Sequence, residues 1–164
     1  MARRTDLPTE GARQDMFAIT LHVEGHPNLQ GYWDKKTGGE IDSDEVKYYP
    51  GASYKPVSLG GRIVPGNITL QRLFDRDDDY PFLQGLIDSV GKARASVTQR
   101  PLDLNGNLFG DTRVEWTGIV KRVLIPDVDS ESTSAALIEI EISIDETADV
   151  KSTATKIAYS TTST

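Results

Sequence analysis

The chain has 164 residues, 37% of them apolar and 26% charged, which is one domain's worth of sequence with enough apolar material for a core. Its 18 basic and 25 acidic side chains leave a formal charge of −7, the wrong sign for a surface that grips nucleic-acid phosphates. The lack of cysteine excludes disulfide frameworks, thiol catalysis and cysteine-ligated metal sites, and no run reaches the roughly 18 apolar residues that a membrane helix needs.

Residues 1–14 have only Met1, Ala2, Leu7 and Ala12 as apolar members and no apolar run of a signal peptide, so they read as an N-terminal arm. A domain is expected over 15–147. It opens with a strand at 15–24, where Phe17, Ile19, Leu21 and Val23 alternate with Ala18, Thr20, His22 and Glu24. Residues 25–45 then carry Gly25, Pro27, Gly31, Gly38 and Gly39 and read as a long inter-strand loop. That loop holds Tyr32, Trp33 and Ile41, and Tyr48, Tyr49 and Tyr54 follow, more aromatic anchors than a solvated loop needs. Tyr32, Trp33, Ile41, Tyr48 and Tyr49 are therefore candidate contacts to a neighbouring molecule. The alternative for Trp33 is a lid folded over its own domain.

Short strands are expected at 46–49 and 63–74, the second irregular at Pro65 and Gly66. Asp75, Asp77, Asp78 and Asp79 precede Phe82, Leu83, Leu86, Ile87 and Val90, which share one helical face. Pro81 belongs in a first turn, so the helix is placed at 79–90 with an aspartate cap and Gly91 at its end. Ala93, Ala95 and Val97 mark a strand, Asp103 to Asp111 a turn, and Arg113 to Leu124 the next strand, with Gly118 as a bulge position. After a polar loop at 126–134, Ala136, Ile138, Ile140, Ile142 and Ile144 alternate without error against Leu137, Glu139, Glu141, Ser143 and Asp145. Nine of the last 18 residues are Ser or Thr, so 148–164 reads as a C-terminal arm. The sum is a mainly β protein of six or seven strands, an antiparallel β-sandwich or barrel with one flanking α-helix, a long loop and extended terminal arms.

Catalytic and cofactor sites find no support in these patterns. The Asp75, Asp77, Asp79 spacing resembles a calcium loop, but Tyr80 and Leu86 stand where glycine and a bidentate glutamate are required, and helix capping accounts for the acids. Asp127, Asp129 and Glu131 fail the same test at Ser132 and Ile138. His22 and His26 fall on a strand and its following loop, which separates them as ligands. Glu139 and Glu141 share one strand face, whereas a glycosidase pair must face across a cleft. The reading is accordingly not an enzyme, with no catalytic, cofactor-binding or metal residue assigned.

The order of several segments resembles the tail tube proteins of tailed bacteriophages. It runs through Gly31-Tyr32-Trp33, Gly38-Gly39-Glu40 and Tyr49-Pro50-Gly51, then Val64-Pro65-Gly66-Asn67-Ile68-Thr69-Leu70-Gln71-Arg72 and an acidic turn into the helix. The Trp116 strand, the Pro126 loop and the Ile138 to Ile144 strand complete it, covering about residues 15–150. The resemblance implies a virion structural protein forming stacked hexameric rings, whose sheets join into a β-barrel lumen that conducts DNA during ejection. The implied partners are further copies of the chain, a tape-measure protein and transient DNA in the lumen, a baseplate or tail-tip initiator, a tail terminator, and a sheath if the tail is contractile. Membrane is not among them. The implied location is the virion tail, assembled in the host cytoplasm. The family is related to the tubes of contractile injection systems and the type VI secretion ring protein. Candidate lumen-lining residues are Glu139 and Glu141, with Thr69 and Gln71 beside them if the strands pair, because an acidic face repels a polyanion in transit. The competing reading is a small β-sandwich that binds carbohydrate or protein through its aromatic residues.

Overall fold

The computed structural model describes residues 13–25, 32–103, 105–108 and 110–152. The N-terminal arm up to residue 12, loop residues 26–31 and arm residues 153–164 lie outside the described residues. The elements are β1 (Phe17–Val23), β2 (Tyr32–Trp33), β3 (Lys35–Gly38), β4 (Ile41–Ser43), β5 (Val46–Tyr48), β6 (Val57–Leu59), β7 (Ile63–Pro65) and β8 (Ile68–Leu73), then helix α1 (Arg76–Ser89), β9 (Arg94–Pro101), β10 (Arg113–Leu124), β11 (Leu137–Ile144) and β12 (Asp149–Lys151).

The main sheet is antiparallel throughout, in the order β2-β1-β9-β10-β11-β8-β3, with β12 paired to the start of β10. Its two outermost strands are neighbours in sequence. Trp33 pairs with Ile19 on β1, Asp34 donates its backbone N–H to the Gln71 carbonyl at 3.0 Å, and Lys35 pairs with Gln71 on β8. One residue thus carries the chain from one edge of the sheet to the other, and the sheet nearly closes into a barrel, which removes most of its exposed edge. The alternation of β11 works as its pattern promises: Ile138, Ile140 and Ile142 are fully buried, facing Leu21, Val97 and Leu70 from other strands in one core.

Several expectations need correction. The stretch expected as a loop over 25–45 contains β2, β3 and β4. Its strand character is hard to see because Trp33 alone is buried in these three strands. Strand 63–74 is divided at Gly66 and Asn67 into β7 and β8. The helix starts at Arg76, three residues before its expected position. The Asp75 carboxylate caps it by accepting from the N–H groups of Asp77 (2.9 Å) and Asp78 (3.2 Å). Pro81 lies in the second turn, where it removes the bond that the Asp77 carbonyl would accept. The helix buries Asp79, Leu86 and Ser89, while Ile87 is exposed, so the inward stripe is rotated from the expected one.

Gly118 is in regular register with Ala95 and Ile144, and the bulge falls instead at Lys121, between Val120 and Arg122. Glycine is needed at 118 for another reason: a Cβ there would lie 2.0 Å from the Ser143 carbonyl oxygen. The first residues of the C-terminal arm are part of the sheet as β12, tied down by Lys151, whose ammonium meets Asp111 at 2.8 Å.

Candidate assembly surfaces

Beyond the barrel, the chain between β3 and β8 forms one long two-stranded ribbon. Gly38 pairs with Ile68 at its root, Ile41 with Pro65 and Tyr48 with Val57 farther out, and residues 49–56 turn the tip. The root is tight. Gly38 has φ +86 and a Cβ there would meet the Asn67 carbonyl at 1.9 Å, so this position needs glycine twice over. At the tip the Ser53 N–H bonds the Pro50 carbonyl at 3.1 Å, closing a turn that holds Ala52 at φ 63.

Every residue of β4, β5 and β6 is exposed, and so are Ile63 and Val64 of β7. Ile41, Val46, Tyr48, Val57 and Leu59 stand 45–55% accessible and Tyr54 fully so. A two-stranded ribbon is marginal in water, and this one has no third strand and no core of its own among the described residues. Of the candidate contacts, Tyr32, Ile41, Tyr48 and Tyr49 lie on the surface, the last three on the ribbon or at its tip. Trp33 does not: it is 3% exposed and belongs to the core of its own subunit. Of the ribbon's return strands, Ile63–Pro65 falls inside the strand expected at 63–74, whereas Val57–Leu59 was not expected. The alternation of Val57, Ser58 and Leu59 was a signal, but it is too short to stand out.

The second candidate surface is the outer face of β8, β10 and β11. The structure brings all four candidate lumen residues together, with Glu139 opposite Gln71 and Glu141 opposite Thr69. The carboxylates are not bare. Glu139 accepts from the Gln71 amide at 2.6 Å and from Arg122 at 2.5 Å. Glu141 accepts from Asn67 at 3.2 Å and Lys121 at 3.3 Å, and is ion-paired with Arg122 Nε at 3.2 Å. Burial acts to raise the Glu141 carboxyl, but the hydrogen bonds from Lys121 and Asn67, with the charges of Lys121 and Arg122, hold it below its ordinary value. Two acids therefore face two bases, and the face is locally neutral. Sequence reading found the acids from their alternation and missed the bases, because the Lys121 bulge shifts the register that brings them over.

Elsewhere the acids have structural partners. Asp79, 4% exposed, is paired with Arg72 and accepts from the Asp75 N–H at 2.7 Å. Asp129 accepts from the Glu131 N–H at 3.0 Å in a local turn. His22 is exposed on the outer face of β1, and His26 lies outside the described residues.

No protein-family model and no curated protein matches the sequence. Solved structures do match the fold. A chain of the sheath–tube complex of an extracellular contractile injection system, PVC, in its extended state superposes with a TM-score of 0.68 at 16% identity, covering 88% of this chain and 94% of that one. A chain of the PVC sheath/tube terminator gives 0.70 at 15% identity, covering 89% and 100%. One from the tube-terminating cap of the anti-feeding prophage gives 0.68 at 16% identity, covering 93% and 99%. At these identities the likeness is one of fold: the chain has the nearly closed antiparallel barrel, with one helix, found in subunits of these injection assemblies.

Proposed function

We propose that this chain is a structural subunit of a tube, of the kind built into phage tails and contractile injection machines, whose copies form stacked rings of six around a bore that passes DNA. The observation that carries this reading is the ribbon over 41–65, which holds an exposed apolar surface out from a barrel that is otherwise complete. Such a surface is a liability in a monomer and an asset in an assembly, where a neighbour covers it. The shared fold with chains of a sheath–tube complex and of tube terminators supports the same class, with a sheath, a terminator and a baseplate as partners.

The outer face carrying Glu139, Glu141, Thr69 and Gln71 is the proposed bore wall. Its paired charges make it neutral there, and neutrality serves passage as well as repulsion does: DNA finds no run of free cations to stick to. A sugar-binding module fits less well. Stacking on a sugar needs aromatic faces around a hollow, whereas Trp33 is in the core and Tyr48, Tyr49 and Tyr54 stand on a projecting ribbon.

Negative-stain electron microscopy of the purified protein over a concentration series, with light scattering on the same samples, tests the proposal. Hollow rings or tubes of uniform width are the expected result. A monodisperse monomer at every concentration overturns it.

A further inference from the structure

The barrel closes through one strand segment, residues 32–38, that serves two neighbours in turn. Tyr32 and Trp33 pair with Thr20 and Ile19 on β1, and Lys35 to Gly38 then pair with β8. Past the Ile19–Trp33 pair, β1 and β3 therefore diverge. Gln14, Phe17 and Gln99 on one side and Lys35, Lys36 and Thr37 on the other line a slot of about 350 Å³ between them.

Both walls turn backbone polar groups into this slot. Alternate residues of an antiparallel strand bond to opposite flanks. The Met16 carbonyl accepts from the Leu102 N–H at 2.8 Å and the Glu24 N–H donates to the Arg94 carbonyl at 2.9 Å, so even residues of β1 face β9 and Phe17 faces the slot. The Gly39 N–H donates to the Asn67 carbonyl at 3.2 Å, so odd residues of β3 face β8 and Lys36 faces the slot. Among the described residues no strand lies against Phe17 or Lys36 on that flank. Strand edges of this kind call for a partner.

The path of the chain points to one. The Met16 N–H donates to the Arg13 carbonyl at 3.1 Å, a turn that reverses the chain just ahead of β1, and Gln14 in that turn lines the slot. The other flank of β1 is taken by β9, where Phe17 pairs with Pro101. The slot is thus the one flank of β1 left for the chain ahead of Arg13 to follow. Its chemistry suits the place: Gly11 and Ala12 are small enough for a narrow seam, and residues 6–12 hold Asp6 and Glu10 and no base. Lys35 and Lys36 stand on the rim, and the ion-paired lysines of the described residues are others, Lys47, Lys121 and Lys151.

We propose that residues 10–12 of the same chain enter this slot as a short closing strand, bonding Phe17 and Lys36 through the backbone and bringing Glu10 to Lys35. The N-terminal arm is then a strap that seals its own barrel, a role that does not depend on the tube reading.

Amide hydrogen exchange, followed by NMR on the unassembled protein, reads the strap residue by residue. In the full chain the Phe17 and Lys36 amides are expected to be protected like those of Ala18 and Thr37. Removing residues 1–12 is expected to speed exchange at Phe17 and Lys36 by about tenfold, the worth of one hydrogen bond, and to leave Ala18 and Thr37, which face β9 and β8, unchanged. Glu10→Lys in the full chain keeps the test decisive if the shortened chain fails to fold. It is expected to speed the same two amides by about two- to fivefold, the worth of an exposed ion pair, and adding Lys35→Glu is expected to restore them. Fast exchange at Phe17 and Lys36 in the full chain, or rates that neither change alters, overturns the proposal and leaves the tube reading standing. Protection that fades on dilution also overturns it, by assigning the slot to the arm of a second copy.

Discussion

Arg72 lays its guanidinium over the indole of Trp33, 4.9 Å from the ring centroid, and the same guanidinium is paired with Asp79. Trp33 sits where the chain crosses from one sheet edge to the other, Arg72 on the strand that receives it, and Asp79 in the helix that follows. One side chain thus fastens the barrel's closing seam to its helix. Lysine would lose the planar stacking and the fork that lets a guanidinium serve both partners.

Removing the acid tests this fastening. Asp79→Ala leaves Arg72 partly buried without its counter-charge and the Asp75 N–H without an acceptor, and is expected to cost about 3 kcal/mol. Denaturant unfolding of the variant against wild type measures it; a loss below about 0.5 kcal/mol, the range of neutral surface changes, would show the seam is held by packing alone.

Gly118→Ala forces a methyl against the Ser143 carbonyl, so β10 and β11 must separate locally. A loss of about 1–3 kcal/mol is expected, the range of overpacked cores. Hydrogen exchange should show the loss of protection concentrated at the amides of 117–119 and 142–145, and uniform protection would contradict the close-approach argument.

Two deletions separate ribbon from barrel. Replacing 46–59 by a two-residue Asn-Gly turn spares every strand of the main sheet and is expected to give a folded protein that does not assemble. Deleting Gly31 to Glu40, which a loop reading expects to be harmless to folding, removes β2 and β3 and is expected to unfold the domain. Circular dichroism and light scattering on both proteins decide the matter; tubes from the first variant would remove the ribbon from assembly.

Glu139→Lys combined with Glu141→Lys places four bases on the proposed bore wall and is expected to slow DNA release from assembled particles. The paired change Glu139→Gln with Glu141→Gln, which leaves Lys121 and Arg122 uncompensated, should slow it less. Ejection kinetics unaltered in both would mean this face does not meet DNA.

The held-down carboxyl of Glu141 has a pH consequence. A group whose folded value lies below its ordinary 4.5 contributes stability above that pH and loses it as the pH falls through the folded value. Unfolding midpoints should therefore decline below pH 4.5, and Glu141→Gln should flatten the decline. Asp111, lowered by the hydrogen bond from Lys151, with the charges of Arg113 and Lys151 adding to it, adds a local effect in the same direction, the release of β12 from β10.

Periodicity alone determined the strongest elements of this protein. The isoleucine run of β11, the Phe17 to Val23 strand and the 113–124 strand each bury one face on a common core, and a residue period is enough to locate such faces. The order of motifs also pointed to the fold class. What only the tertiary structure decided is everything that depends on partners distant in sequence. Trp33 is core because Ile19 and Arg72 lie on either side of it, and the charges of the two glutamates are balanced because a bulge at Lys121 brings bases across the sheet. Strands at 46–49 and 63–65 were expected, but their union with 41–43 and 57–59 into one ribbon was hidden because these strands bury almost nothing, and hydrophobic periodicity reports burial within one subunit. A surface made to be buried by another copy leaves exposed apolar residues without a period, and it becomes visible once the barrel is seen to be complete without it.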